Sequence, residues 1–492
     1  MQRLKKIPFF LILLVMFFCL HGSLENYGFL EAKEVLWVGL LVSSVMLILF
    51  FITIFFTRDR LMAGLIIFFI SLWYIFFGAI HDWIGNQSLL AFMHRYAVLL
   101  PLLLVITIAW VIYLKRNKQR HQRWAFYLNV LLIIYCCIDG FLLLRNYLLP
   151  VKHTVATISF DKTKVKSKPN VYYLLFDEYP GYTTLRDSFA FNNDSLYHNL
   201  KQHDFEILPT FSNYDFTLFS MSSIFNMQYV DSNYDHGHLT QRDMQQRLNE
   251  IKNNQAMSIF SSMGYAIENY SIFDIAGHQN IAARHSLFPM HAPLLTDKFF
   301  HNRLMKDLSW WLITGKFKIA ALKEKYFYSK DKDNQYMAQL LVESAAKKSD
   351  VPKFCYAHFL MPHRPFFRDS SGQLRNFTSS REMYDLYFDK AVYLSYLKYT
   401  NRVITTLIEK ITKNDCSAIV VVMSDHGFHT FNNAISYNPL NYDNICAVRF
   451  PDKNYIAVKE KWSTVNFFRY FFNCEFGQQL PFLKDSTIWI NL

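Results

Sequence analysis

Hydrophobic positions follow two patterns along this chain: long apolar runs come first, and shorter segments follow. The apolar runs occupy residues 7–24, 35–56, 61–80, 96–114 and 124–144. Each run is about long enough to cross a hydrocarbon layer of roughly 30 Å as a helix. Five such runs in succession favour membrane spans over the buried helices of a large soluble core. The pattern therefore predicts a transmembrane region of about five helices over residues 1–149.

After a polar tract with several lysines and threonines, strand-like and helix-like segments alternate. The predicted strands are 171–176, 205–208, 265–270, 353–359 and 418–423. The predicted helices are 217–227, 241–263, 299–313 and 380–411. Such alternation predicts an α/β domain whose mostly parallel central sheet is flanked by helices. We therefore divide the chain into the transmembrane region 1–149, a linker 150–168 and a second domain 169–492.

Basic residues indicate on which side of a membrane the second domain lies. They cluster before the first run, between the second and third, and between the fourth and fifth: Arg3, Lys5, Lys6, Arg58, Arg60, Lys115, Arg116, Lys118, Arg120 and Arg123. By the positive-inside rule these loops are cytoplasmic, so an odd number of spans places the second domain outside. Removal of the first run as a signal peptide would leave that side unchanged.

The formal charge of +12 at pH 7 does not indicate a nucleic-acid-binding protein. Residues 1–150 contain 13 Lys and Arg against 6 Asp and Glu, which leaves 38 against 33 for the rest of the chain. The outer domain is therefore only mildly basic, and no stripe of basic residues marks a nucleic-acid surface. The seven cysteines show neither a dense disulfide framework nor a CxxC metal pattern.

Two predicted strands end in acidic residues that suit a metal ion. The run 171–176 ends in Asp177 and Glu178, and the run 420–423 ends in Ser-Asp-His-Gly at 424–427. Carboxyl ends of parallel strands meet at one edge of a sheet, where ligands gather. Carboxylate oxygens and an imidazole are common ligands of divalent metals. We therefore expect Asp177, Asp425 and His426 to share one cation.

Two further segments are candidates for chemistry. Hydroxyl residues cluster around Thr217 and Ser220, where a loop enters a predicted helix whose N-terminus could hold an anion. Simple capping of that helix by either residue is the alternative. His363 stands between prolines, just after a predicted strand that contains His358, in a rigid turn that suits a group aimed at a ligand. An ordinary loop histidine is the alternative there.

Together these motifs resemble the alkaline phosphatase and sulfatase superfamily over most of residues 169–492. Ser-Asp-His-Gly after an apolar strand is the most specific element, and Pro-His-x-Pro at 362–365 is a second. Five spans followed by an outer domain are similar to the phosphoethanolamine transferases and lipoteichoic acid synthases. The local sequence around these motifs is most similar to that of membrane-anchored sulfatase-like proteins. The resemblance implies an alkaline-phosphatase-like α/β fold on the outer side of a bacterial cytoplasmic (inner) membrane.

The resemblance also implies roles for individual residues. The metal ligands would be Asp177, Thr217, Asp425 and His426, and the catalytic residues would be Thr217 as nucleophile and His363. Ser220 is the reserve nucleophile, and His358, His363 and His429 would bind substrate. The cofactor would be a divalent metal, with zinc favoured over manganese or calcium. The partners would be membrane lipid or envelope glycan substrates and the lipid bilayer, without nucleic acid, and we expect a monomer.

The chain departs from these families at two points. It lacks the Cys/Ser-x-Pro-x-Arg motif from which sulfatases make formylglycine, so sulfate-ester cleavage by that route is disfavoured. After Gly427 it does not continue like the phosphoethanolamine transferases, although His429 could serve a second metal. We therefore expect transfer of a phosphoryl-linked group such as phosphoethanolamine through a covalent Thr217 intermediate. A hydrolase with the same site and a catalytically silent membrane scaffold are the alternatives.

Overall fold

The computed structural model of the protein describes residues 2–88, 91–149, 157–230, 239–281, 292–314, 324, 327–377, 380–429, 437–458 and 460–490. The chain separates into two compact units. The first contains Met1–Lys152 and Leu287–Trp311, and the second contains His153–Ser286 and Leu312–Leu492. The membership of this later segment in the first unit was not predicted from the sequence.

The first unit is helical. Its helices are α1 (Gln2–Lys6), α2 (Phe10–Glu25), α3 (Ala32–Thr57), α4 (Arg60–Ile75), α5 (Phe77–Gly85), α6 (Tyr96–Arg116) and α7 (His121–Leu148), followed much later in the chain by α13 (Ala292–Thr296) and α14 (Phe300–Thr314). Apolar side chains of α2 and α4 form its core, together with Ala292, Leu295 and Phe299 of the later segment. The later segment belongs to this unit because its apolar residues are buried there.

Membrane-spanning candidates among the described helices number three, or four if a bent pair is one span. The three are Ala32–Thr57, Tyr96–Arg116 and Lys118–Leu148. The pair α4 and α5 meets at a 57° bend, and α2 has only 16 residues. The prediction of a helical apolar region is therefore confirmed, whereas the count of five spans is not.

A contact with the later segment lies at the bend between α4 and α5. The N–H of Gly78 donates to the carbonyl of Lys298 at 2.7 Å instead of continuing the helix ladder. A Cβ at position 78 would lie 2.8 Å from the Cα of Lys298, so a side chain there would push the later segment away. Sequence periodicity does not show such a tertiary contact, and this explains why run 61–80 was predicted as one helix.

The second unit is an α/β domain. Its strands are β1 (Val171–Phe176), β2 (Glu206–Ile207), β3 (Thr210–Phe211), β4 (Ala266–Tyr270), β5 (Lys353–Phe359), β6 (Ile419–Met423), β7 (Cys446–Arg449) and β8 (Trp462–Ser463). Its helices are α8 (Tyr182–Asp187), α9 (Asp194–Gln202), α10 (Thr217–Asn226), α11 (Gln241–Lys252), α12 (Gln255–Ser262), α15 (Ser329–Ala346), α16 (Ser380–Asp385), α17 (Lys390–Asn414) and α18 (Phe467–Phe476).

A six-stranded sheet in the order β2-β7-β6-β1-β5-β4 forms the centre of this domain. Strands β6, β1, β5 and β4 are parallel, whereas β7 is antiparallel to both β6 and β2. Every residue of β1 is buried, as expected of a strand covered on both faces. Tyr173 packs with Phe225 of α10 and Phe468 of α18, while Cys355 on β5 contacts Ser344 of α15. The predicted mostly parallel α/β sheet is confirmed.

Two predicted helices are interrupted. The segment 241–263 forms α11 and α12, and 380–411 forms α16, a short 3₁₀ turn and α17. In each case the second helix starts at a capping side chain. Asn254 accepts from the N–H of Met257, and Asp389 accepts from the N–H of Ala391. These caps satisfy N–H groups that a helix start leaves free, so they compensate for the break.

Candidate active site

The carboxyl ends of three parallel strands bring the predicted metal ligands together. The register pairs Leu175 of β1 with Met423 of β6 and Phe176 of β1 with Phe359 of β5, so the three strands end at nearly the same level. Asp177 follows β1 directly, and its N–H continues the ladder to the carbonyl of Phe359 at 3.0 Å. Residues just beyond these ends therefore share one edge of the sheet.

Asp177, Asp425 and His426 form a compact cluster at this edge. One ligand atom from each of the three lies within 4.8 Å of the others, and all three residues are buried. Nε2 of His426 is 3.3 Å from Oδ2 of Asp425 and 3.8 Å from Oδ1 of Asp177. The sequence-based prediction named this set of three residues.

The unpaired atoms of this cluster fit a divalent cation. Asp177 Oδ1 and Asp425 Oδ2 are buried and accept no hydrogen bond from the residues that the structure describes. Buried carboxylate oxygens without a partner are costly. His426 donates from Nδ1 to the carbonyl of Gly427 at 2.8 Å, so its neutral form presents the Nε2 lone pair to the carboxylates. Two carboxylates and one imidazole are a suitable ligand set for such an ion.

Thr217 lies beside this cluster at the first position of α10. Its Oγ1 is 3.2 Å from Nε2 of His426. The N-cap residue is Phe216, whose side chain cannot cap the helix, so the capping alternative for Thr217 is not observed. Ser220 is fully buried, and its hydroxyl donates to the main-chain carbonyl of Asp425. Ser220 thus holds the loop that carries Asp425, and Thr217 is the hydroxyl that faces the cluster.

Two histidines stand at the outer rim of the site. His363 places Nε2 3.7 Å from Oε2 of Glu178, and His429 places Nδ1 3.6 Å from Oε1 of the same carboxylate. Their side chains are 28% and 27% exposed, in contrast to the buried cluster below. The ring of His429 stacks on that of His426 at 4.7 Å. Both rim histidines are partly exposed, and their assignment to substrate binding stays a prediction.

His358 occupies a different position from the rim histidines. It is fully buried, its Nδ1 contacts the hydroxyl of Tyr356 at 2.9 Å, and its Nε2 lies 3.7 Å from Oδ2 of Asp177. This location lets His358 orient the carboxylate of Asp177 from behind. It does not suit the direct substrate contact that the sequence analysis assigned to it.

Glu178 is the functional candidate that sequence reasoning did not place. Its φ of 61° is in the left-handed region, which is unfavourable for a residue with a Cβ. Its N–H donates to Oδ1 of Asp425 at 3.2 Å, and its carboxylate accepts from the N–H of His429 at 2.8 Å. The turn therefore joins the metal cluster to the rim. Adjacency to Asp177 was the one sequence signal for this role.

Gly427 is required by close packing. A Cβ there would lie 2.7 Å from the carbonyl oxygen of Asp443, and its N–H donates to the carbonyl of Asn441 at 2.7 Å. Two stretches of backbone meet at this point, so only glycine fits without displacing the loop that carries Asp425 and His426. The final residue of Ser-Asp-His-Gly is thus explained by sterics.

The charges of the cluster shift two of its ionisation equilibria strongly. Burial alone would raise the pKa of Asp177, but His363, followed by His358 and His426, more than offsets that effect, and the pKa lies below its usual value. For His426, burial opposes the charged form, yet Asp425, Asp177 and Glu178 raise its pKa to about 9. Burial, together with the charge of His426, lowers the pKa of His429.

Metal affinity is expected to increase with pH. At neutral pH the metal-free protein holds a proton on His426, because the pKa of that residue is raised to about 9. A cation bound to Nε2 must displace this proton, so affinity should rise about tenfold per pH unit up to pH 9. Isothermal titration of zinc at pH 6.5, 7.5 and 8.5 in buffers of different ionisation enthalpy measures both affinity and proton release. A constant affinity without proton release would contradict this arrangement.

Comparisons with known proteins identify a family. The sulfatase family model matches residues 184–468, more than half of the chain, and this range includes Thr217, Asp425 and His426. No curated protein sequence matches the chain. Asp177 precedes the matched range, so its assignment rests on the geometry above.

Several solved structures are similar to the chain at low identity. The C-terminal periplasmic domain of EptC from Escherichia coli is 12% identical with a TM-score of 0.39, covering 68% of this chain and 94% of that one. Phosphonate monoester hydrolase of Agrobacterium radiobacter is 12% identical with a TM-score of 0.37, covering 63% and 74%. At TM-scores of this size, the likeness carries no functional conclusion.

Proposed function

Because the chain belongs to the sulfatase family, we propose that it is a metal-dependent enzyme that transfers a phosphoryl-linked group through Thr217. The donor would be a phospholipid headgroup such as phosphoethanolamine, and the acceptor would be an envelope lipid or glycan. One observation supports this proposal above all others. Oγ1 of Thr217 lies 3.2 Å from Nε2 of His426, within a cluster that holds two unpaired buried carboxylate oxygens.

Asp177, Asp425 and His426 would hold the cation, with Thr217 next to it. A bound divalent ion would lower the pKa of the Thr217 hydroxyl and offset negative charge that develops on the phosphoryl oxygens. Zinc is the favoured ion because the set includes an imidazole, with manganese or calcium as alternatives. The first N–H groups of α10 lie next to Thr217 and lack intrahelical partners, so they can donate to the same oxygens.

The proposed reaction has two displacements. Thr217 first loses its hydroxyl proton to solvent; its alkoxide oxygen then attacks the phosphorus of the donor phosphodiester, an oxygen–phosphorus bond forms, and the bond to the leaving diacylglycerol oxygen breaks. His363 supplies the proton to that oxygen. The acceptor hydroxyl then attacks the same phosphorus, gives up its proton to a rim histidine, and Thr217 leaves.

The rim histidines have tautomers that suit these proton transfers. Nδ1 of His363 donates to the carbonyl of Arg364 at 2.5 Å, so the proton that moves is the one on Nε2. Nε2 of His429 donates to the carbonyl of Asp215 at 2.6 Å, which leaves Nδ1 facing Glu178. Glu178 would stabilise the charged form of either ring.

A phosphoryl group fits this site better than a sulfuryl group. The hydroxyl that faces the cluster belongs to a threonine, which cannot become the formylglycine that sulfatases make from cysteine or serine. Ser220, the nearby alternative, is committed to the carbonyl of Asp425. A negatively charged phosphodiester also matches a site built around a cation and a helix N-terminus.

The proposal includes a location. Apolar helices near the N-terminus and basic cytoplasmic loops support a multi-pass protein of the bacterial inner membrane with its catalytic domain outside. Donor and acceptor would then both be available at the outer face of the inner membrane. A hydrolase with the same residues would differ only in using water for the second displacement.

The experiment is a label-transfer assay with the full-length protein in vesicles. Phosphatidylethanolamine labelled with ³²P in its headgroup is supplied with zinc, first alone and then with an envelope extract as acceptor. We expect label on the protein in the first step and its transfer to the extract in the second. Steady release of labelled phosphoethanolamine into water without acceptor would instead identify a phosphodiesterase. A metal-replete protein that never takes up label would indicate the silent scaffold.

A further inference from the structure

A second cavity of about 760 Å³ lies away from the metal cluster, between α9 and α17. Side-chain amides and hydroxyls line it, among them Asn192, Ser195, Asn199, Asn401 and Thr405. Its size is within the range of small-molecule sites. Groups that both donate and accept hydrogen bonds suit a ligand with many hydroxyls.

The cavity is positively charged. Lys398 and Arg402 line it, whereas none of its described lining residues is Asp or Glu. The ammonium of Lys398 lies over the ring of Phe191 at 5.7 Å, and the guanidinium of Arg402 over that of Tyr399 at 5.8 Å. Neither cation has a carboxylate within ion-pair distance among the described residues. A ligand there would therefore meet two cations whose charge is not neutralised.

One polar atom at the cavity lacks a partner. Oδ1 of Asn199 is buried and accepts no hydrogen bond from the part of the chain that the structure describes. An unsatisfied buried amide oxygen costs free energy unless a donor reaches it. The oxygen is closed to solvent in the structure, so the case for a ligand rests on the charge and on the polar lining of the cavity.

The floor of the cavity connects to the metal site through Tyr179. The hydroxyl of Tyr179 donates to Oδ1 of Asn401 at 2.6 Å and accepts from Nδ2 of Asn193 at 2.9 Å. The N–H of the same residue donates to Oγ of Ser424 at 2.9 Å, and that hydroxyl donates to the carbonyl of His426 at 2.7 Å. A ligand in the cavity would thus rest on residues that also support the metal-binding loop.

We propose that this cavity binds a segment of an anionic glycan and so retains an acceptor chain on the catalytic domain. The amides and hydroxyls would contact sugar hydroxyls, and Lys398 and Arg402 would contact an acidic substituent. The role of the glycan as acceptor rests on the proposed function, whereas glycan binding itself does not, because it does not involve Thr217. The two claims can therefore fail separately.

A neighbouring groove supplies a matched control. It lies between α15 and α17, shares Arg402 and Thr406 with the cavity, and its lining also includes Glu343 and Lys410. Lys410 is an exposed lysine of the same helix, and it does not line the glycan cavity. Replacing it removes the same charge from the same helix without touching the proposed site.

The test is isothermal titration of the full-length, detergent-solubilised protein with a hyaluronan tetrasaccharide. This probe carries two carboxylates on a hydroxyl-rich chain, and cellotetraose is its neutral counterpart. Lys398→Gln should weaken binding of hyaluronan about tenfold, as expected for loss of one charge-assisted contact. Lys410→Gln and Thr217→Ala should bind as the wild type does. Cellotetraose should bind at least about tenfold more weakly than hyaluronan.

Four results would overturn the proposal. The wild type could fail to bind hyaluronan, Lys398→Gln could bind it unchanged, or Lys410→Gln could weaken binding equally. Equal binding of cellotetraose would likewise exclude an anionic ligand. Intact glycan binding combined with a protein that takes up no ³²P label would remove the proposed reaction and leave the glycan site standing.

Discussion

Thr217→Ala is expected to abolish labelling of the protein by headgroup-labelled phosphatidylethanolamine and to lower turnover about ten-thousand-fold or more. The reason is that Thr217 is the hydroxyl that faces the metal cluster, 3.2 Å from Nε2 of His426. Removing it leaves the buried ligands in place but takes away the atom that forms the covalent bond. Autoradiography of the protein and release of diacylglycerol measure the two effects.

Two variants sharpen this experiment. Thr217→Ser keeps a hydroxyl at the same position and should retain labelling, because the attacking oxygen is preserved. Ser220→Ala removes only the hydrogen bond to the carbonyl of Asp425, so it should reduce stability modestly and still take up label. Undiminished label on Thr217→Ala would exclude Thr217 as the nucleophile, and loss of label from Ser220→Ala alone would point to the reserve residue.

Asp425→Asn is expected to lower metal affinity by at least about 100-fold. Loss of a residue that only supports a metal ligand costs about 10- to 100-fold, and loss of a ligand itself should cost at least as much. Oδ1 of Asp425 accepts from the N–H of Glu178, which an asparagine oxygen can still do. Oδ2 is the unpaired atom 3.3 Å from His426, and an amide nitrogen there would repel a cation. The domain should therefore fold but bind metal poorly, which elemental analysis after dialysis would detect.

Asp215→Asn is the matched control for this change. Asp215 is also buried near the site, and its Oδ1 accepts from the N–H of Ile490, but it is not part of the metal cluster. Its asparagine variant should retain full metal content. A metal-replete Asp425→Asn protein would remove Asp425 from the ligand set, and equal metal loss in both variants would indicate a general effect on folding.

The sequence allowed the clustering of Asp177, Asp425 and His426 to be predicted because its signals are local. β1 and β6 are continuous apolar runs, each is followed within two residues by a carboxylate, and parallel strands must end at one edge. The family match adds to this, since it covers Asp425 and His426. The proposed roles of Thr217 and His363 rest on the same local signals together with a resemblance, and they await experiment.

The rest of the site depends on contacts that local signals do not encode. The left-handed turn at Glu178 and the position of His429 involve segments that are distant in sequence, because the N–H of Glu178 donates to Asp425 and Nε2 of His429 donates to the carbonyl of Asp215. The bend between α4 and α5 lies beside the contact of Gly78 with Lys298, which is distant in sequence. By contrast, the capping residues Asn254 and Asp389 were visible in the sequence and could have marked the two helix breaks.

The membership of residues 292–311 in the first unit has a consequence for biosynthesis. Ala292, Leu295 and Phe299 complete a core whose other members lie between Phe10 and Leu132. During translation, the ribosome must add more than 140 further residues after α7 before that core can close. Until then, the apolar surface of the early helices that these three residues cover stays exposed. A chain stopped before residue 292 would leave that surface exposed permanently. Folding of this unit finishes late, although its first helices are made first.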